Sequence, residues 1–244
     1  MSYERGLINM LEGERRNAIL ENAKNFFREI ITKNHIRNTK KCNQISEFNV
    51  NPFLYKYLAN FLSGNNELES IAKALIYPRV LGTSITTSFG GNMQHFCSTI
   101  LQGFASPISG IDIEFEDQLD GRRKYAQIKS GPNTINYDDV DTIDRHFQSV
   151  IGVARTNKLS IAIDDMILVV LYGEDSELNG HYRRVKERYP VIVGMEFWHR
   201  LTGDEDFYLD LIDAIGEVAI EVNGSDLLNE VIKELSEDIR RKGL

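Results

Sequence analysis

Between residues 110 and 131 the hydrophobic period changes, and no other stretch restricts the fold of this chain as much. Ile111, Ile113 and Phe115 alternate with Asp112, Glu114 and Glu116, the spacing of a strand with one buried face. Asp120-Gly121 is a two-residue hairpin signal, and residues 122–130 return as a second strand. A two-residue turn pairs Leu119 with Arg122, which sets Asp112 opposite Lys129, Glu114 opposite Gln127 and Glu116 opposite Tyr125. Side chains alternate along a strand, so these six share a face, while Ile111, Ile113, Phe115, Ala126 and Ile128 form the core face. The expectation is a sheet surface carrying carboxylates, an amide and an ammonium together.

Around this hairpin the period is helical. Residues 4–34 read as a long amphipathic helix, followed by a polar, basic connector over 33–43. Helices are expected at 53–62 and 68–76, the second halted near Pro78. The small, polar stretch 82–91 then offers a cap, at Ser88 or Asn92, for a helix over 93–101. Downstream, 139–155 reads as a helix, 166–172 as a buried strand and 191–193 as a shorter strand. Two acidic amphipathic helices, 207–220 and 227–239, close the sequence. The fold class expected is α/β, a small mixed sheet flanked by helices with an added helical N-terminal region.

Charge and composition narrow the function. With 42% apolar residues over 244 positions the chain can bury a sizeable core, and no apolar run is long enough to cross a membrane as a helix. The net charge of −8 does not announce a polyanion partner. Yet residues 1–60 hold ten basic against six acidic residues, and 196–244 hold five against thirteen. A local basic groove therefore stays open. Residues 1–5 lack an apolar signal segment, so the cytoplasm is expected. Cys42 and Cys97 stand apart, which predicts reduced thiols and no structural zinc. The five histidines lack ligand spacing, and zinc-protease, serine-hydrolase, P-loop and Rossmann motifs are absent.

The hairpin face suits metal-dependent hydrolysis. Hard divalent cations take oxygen ligands from one or two carboxylates, and a nearby lysine stabilises charge on phosphoryl oxygens. The alternative for the same residues is a surface hairpin with ordinary cross-strand ion pairs. Residues 110–115, the turn, and Tyr125-Ala-Gln-Ile-Lys-Ser-Gly131 resemble the core of the PD-(D/E)XK nuclease superfamily. Residues 127–136 and Glu196-Phe-Trp198 are similar to type II restriction endonucleases, of the branch cutting short G/C-rich sites such as GGNCC. The resemblance implies a restriction-endonuclease-like core. It makes residues 1–244 a single nuclease domain, with a mainly helical region at 1–80, a catalytic core at 81–200 and C-terminal helices at 201–244.

It also implies Mg²⁺-dependent, site-specific cleavage of double-stranded DNA leaving 5′-phosphate ends, by a homodimer. Asp112, Gln127 and Lys129 would be the catalytic residues, and Asp112, Gln127 and the Ile128 carbonyl would bind the metal. Two positions depart from the family pattern. Gly110-Ile111 precede Asp112 where a proline is usual, and Gln127 replaces a carboxylate. A neutral amide binds Mg²⁺ more weakly, so Glu114, or Gln94 on the preceding helix, is the expected compensating ligand. Ser130, Asn133, Thr134 and Asn136, in the loop leaving the strand, are the expected DNA contacts. Arg37, Lys40 and Lys41 are further basic candidates for phosphate contact; the run Arg183–Arg188 reads either as a DNA-backbone contact or as a solvated strand edge, and Trp198 is expected to pack. The rival functions are a structure-specific repair or recombination nuclease and a catalytically weak DNA-binding module.

Overall fold

The computed structural model describes residues 2–101, 104–156 and 161–244; the side chains of 2–12, Met93, Gln94, Ser98, Val153 and Arg155 lie outside that description. In chain order the main elements are α1 (Ser2–Phe26), α2 (Lys33–Lys41), α3 (Tyr55–Ser63), α4 (Leu68–Pro78), α5 (Ile85–Ile100), β1 (Ile113–Glu116), β2 (Arg123–Lys129) and α6 (Tyr137–Thr156). There follow β3 (Met166–Val170), α7 (Gly180–Lys186), β4 (Val191–Val193), α8 (Met195–Thr202), α9 (Phe207–Val222) and α10 (Ser225–Lys242). The fold is mixed α/β, a small open sheet flanked by helices. Among the described residues no helix is long and apolar enough to cross a membrane.

Two expected breaks are helical. The basic connector is α2, joined to α1 by a π turn at Phe27–Thr32. Nor does the chain stop at Pro78. Proline lacks the N–H that the ladder needs there, and a π turn at Arg79–Ser84 carries the helix on into α5, so the stretch expected to cap a helix is itself helical. The run 183–188 is likewise not a strand edge. It lies mostly in α7, whose first amides, of His181 and Tyr182, are taken by the Asn179 side chain.

The chain divides into two compact units, residues 1–23 with 94–214 and residues 24–93 with 215–244. The first holds the sheet, in the order β1-β2-β3-β4, antiparallel between β1 and β2 and parallel thereafter. Met166 to Val170 are all buried, because helices cover both faces. On one face Met166, Leu168 and Val170 pack with Ile143, Phe147 and Val150 of α6 and with Tyr182 and Val185 of α7. On the other, the rings of Phe115 and Phe197 lie 6.0 Å apart, and the Trp198 indole donates to the Leu171 carbonyl at 3.1 Å. Trp198 packs, as expected. The second unit closes α4 and α10 around Ile71, Ile76, Val231, Leu235 and Ile239.

The hairpin register corrects the two-residue turn. Glu114 pairs with Tyr125 and Glu116 with Arg123, not with Gln127 and Tyr125. Asp117, fully buried, starts the turn early: its carboxylate accepts the Leu119 amide at 2.9 Å, and its carbonyl accepts the Gly121 amide at 2.8 Å. The loop is thus four residues long. A slip of two preserves which side chains share a face. The alternation fails at Asp112 instead, since Ile111 joins the α6-side cluster while Phe115 packs on α8.

Candidate active site

Gln127 and Lys129, two apart on β2, face α6 together. The helix reaches them because the loop over 130–136 ends in a cap: the Asn136 side-chain oxygen accepts the amides of Asp138 and Asp139 at 2.9 and 3.1 Å. This places Asp139 beside β2, where its Oδ1 accepts from Lys129 Nζ at 3.1 Å and its Oδ2 accepts the Asn136 amide at 2.9 Å. Burial pushes the Asp139 carboxyl up, but the Asn136 amide and Lys129 outweigh it and hold the group below its ordinary range.

Two helical turns further on, His146 meets Gln127. The Gln127 amide nitrogen donates to His146 Nδ1 at 2.6 Å. Gln127 Oε1 is left buried with no hydrogen-bond partner. A buried acceptor without a donor costs about 1–3 kcal/mol, and an incoming donor or cation would remove that cost.

Asp112 joins them through the backbone. Its amide donates to the Ala126 carbonyl at 2.9 Å, and its carboxylate Oδ2 accepts the Ile128 amide at 2.6 Å. The side chain stands in for a ladder partner just before β1 begins, and its Oδ1 has no partner among the described residues. Cys97 of α5 feels this charge: burial pushes its thiol up to about 12, with the Asp112 carboxylate adding to the rise. Cys97 and Cys42 are both free and buried.

The structure therefore ties Asp112, Gln127 and Lys129 to the last three residues of β2. It does not pair Asp112 with Lys129, whose ammonium is engaged by Asp139. At Ile128 the amide, rather than the carbonyl expected as a ligand, is what Asp112 engages. Glu114 is turned elsewhere, bonded to Ser106 Oγ at 2.7 Å and to Arg123 at 2.9 Å. The Gln94 side chain lies outside the described residues.

In the loop, Thr134 donates to the Gly131 carbonyl at 2.9 Å and lies 3.0 Å from the Tyr182 hydroxyl. Asn136 is the cap, Asn133 is exposed and Ser130 is half-buried. Of the basic run, Arg184 lies over the Tyr137 ring and Arg188 pairs with Asp144 at 3.2 Å. Asp139 and His146 were not singled out from sequence. Seven residues apart on α6, they share a helix face, but that spacing alone does not say which strand the face meets.

Among the described residues no three His, Cys, Asp or Glu side chains are disposed to hold a metal. Asp112 and Gln127 nevertheless offer two hard oxygen donors, one of them orphaned, which suits an ion that keeps most of its waters. A family model, type II restriction endonuclease EcoO109I, matches residues 18–223. No curated protein matches the chain.

Proposed function

The chain belongs to the family of the type II restriction endonuclease EcoO109I, and from that premise we propose that it cuts double-stranded DNA at a specific site by Mg²⁺-dependent hydrolysis, leaving 5′-phosphate ends, on a core of the PD-(D/E)XK kind. Residues 1–244 act as one nuclease domain. The observation that carries this reading is the orphaned Gln127 oxygen on the strand that also bears Lys129 and holds Asp112.

Asp112 and Gln127 Oε1, with the Ile128 carbonyl, would hold the ion. Bound Mg²⁺ supplies Lewis-acid polarisation and a nucleophilic water near neutral pH. His146 engages the Gln127 amide nitrogen, so its oxygen is the atom left to meet the ion. Lys129, kept in place by Asp139, places positive charge against a phosphoryl oxygen as negative charge develops there. Ser130, Asn133, Thr134 and Asn136 approach the DNA from the adjoining loop, and the two with internal bonds keep spare acceptor or donor capacity for it.

A homodimer would match a palindromic site, one centre per strand. Its support is an apolar stripe: Phe53, Tyr57 and Phe61 are 89%, 62% and 80% exposed, flanked by Leu54, Leu58 and Leu62. At about 150–250 Å² per ring and these exposures the three rings offer roughly 460 Å² per copy, so self-pairing would bury about 900 Å² of ring surface, and the flanking leucines would add the rest of the roughly 1,200 Å² at the lower end for a specific interface.

Digestion of plasmid or phage DNA with purified protein tests the function. Discrete fragments that vanish with chelator are expected. A second reading, a catalytically weak DNA-binding module, is favoured by the neutral amide at Gln127. It predicts a salt-sensitive gel shift without cleavage in Mg²⁺ or Mn²⁺. Cleavage that follows DNA structure rather than sequence would point to a repair nuclease.

A further inference from the structure

The second unit carries a polar groove of about 450 Å³ between α2 and the segment from Arg79 to Ser88. Helical spacing builds it. Arg37 and Lys41 lie one turn apart on α2 with Asn38 between them. Across from them the π turn and the first turn of α5 bring Arg79, Thr83 and Thr87 to the same wall. All but Asn38 are exposed.

Many basic side chains of the chain meet carboxylates, as Arg16 meets Asp204, Arg28 meets Glu221 and Arg122 meets Asp165. Among the described residues Arg37, Lys41 and Arg79 form no ion pair, and one carboxylate, Glu47, lines the groove with them. Arg37 Nη2 donates to Asn34 Oδ1 at 2.7 Å, which orients its guanidinium without neutralising it. In a protein of net charge −8, three cations line one groove with a single carboxylate, Glu47, to offset them. Guanidinium and ammonium groups donate and cannot accept, and the threonine hydroxyls add neutral donors. That donor-rich, open wall fits successive phosphates better than a small apolar ligand.

We propose that this groove binds the sugar-phosphate backbone of duplex DNA, adding affinity that does not depend on base sequence. The proposal rests on the reading of the chain as a DNA endonuclease. It gives the helical unit a role in holding DNA, separate from the residues on β2.

The test uses the whole chain, a labelled duplex of arbitrary sequence, and chelator to prevent cutting. Affinity is followed against salt for wild type and for the triple variant Arg37→Gln, Lys41→Gln, Arg79→Gln. Each lost phosphate contact removes about 0.9 from the slope of log affinity against log salt. The variant should therefore lose about two to three units of slope, and about tenfold or more in affinity at low salt, on every sequence alike. The single variant Lys41→Glu, at an exposed side chain without an ion pair, carries the same test if the triple variant does not fold. Variants that keep the wild-type slope overturn the groove alone, as does a variant whose oligomeric state changes while its slope does not. A wild-type protein without salt-dependent DNA affinity overturns the endonuclease reading, and the groove with it.

Discussion

Gly110 and His146 constrain one another, and through them the site. Gly110 adopts φ +84°, where a side chain is strained, and a Cβ there would lie 2.4 Å from His146 Cγ. Gly110→Ala should thus lower stability by about 1–3 kcal/mol and displace His146 from Gln127, seen as a lower denaturant midpoint together with weaker cleavage. Asp112 poses a sharper question, because its carboxylate already has a structural task at the Ile128 amide. Asp112→Asn keeps an acceptor for that amide and removes the charge. Its unfolding free energy should stay within about 0.5 kcal/mol of wild type, while cleavage falls by about 10²-fold or more. Cleavage within a few-fold of wild type would reduce Asp112 to a cap on β2. Asp112, Gln127 and Lys129 are legible in the sequence because they are close together in it and their residue types are chemically distinctive. Asp139 and His146 are not, since their roles exist only once α6 has crossed over β2, and nothing in local spacing encodes that crossing.

At the scale of elements, the signals that worked were those of period. The helices at α4, α9 and α10 and the buried strand β3 stand close to where the apolar spacing puts them. The signals that failed were those of punctuation. Asp120-Gly121 is a hairpin dipeptide, but Asp117 opens the turn first by bonding the Leu119 amide, and the register slips by two. Pro78 is a helix breaker, yet the helix runs through it into a π turn at Arg79–Ser84 and on into α5. In both places a dipeptide or single-residue preference lost to the neighbouring residues' own bonding. The loop over 130–136 mixes the two kinds of information, for Asn136 is both the cap of α6 and a candidate DNA contact. Substitution separates the roles. Asn136→Ala should cost about 1 kcal/mol of stability. Asn136→Asp keeps the cap, so its thermal midpoint should match wild type, but its negative charge should weaken DNA binding in a filter or anisotropy assay. Equal affinity for Asn136→Asp and wild type would leave Asn136 a cap and nothing more.

For the molecule as a whole, the charge gradient along the sequence resolves into pairs within each unit. In the first, Arg16 binds Asp204 at 2.7 Å; in the second, Lys24 binds Glu217 at 2.6 Å and Arg28 binds Glu221 at 2.8 Å. The gradient is visible in composition, but partners nearly 200 positions apart are not, because only the packing of early helices with late ones chooses them. These pairs have a consequence in acid. Asp165 is held below the ordinary carboxylate range by hydrogen bonding from Arg122, Asp204 by Arg16, Glu221 by Arg28, and Asp238 by the Ile45 amide. A carboxylate whose folded pKa lies below its unfolded value adds stability that is fully present above the unfolded pKa, about 4, and is lost as pH falls through the folded one. The thermal midpoint should therefore change little from pH 8 to pH 6 on this account and drop as pH goes below about 4. Asp165 also accepts the Ala162 amide at 2.8 Å and pairs with Lys124 at 3.5 Å, so it is the carboxylate to remove. Asp165→Asn should melt below wild type at neutral pH, with the difference shrinking on acidification as the wild-type carboxylate protonates. A difference that stays constant with pH would assign the loss to packing around Asp165 rather than to its charge.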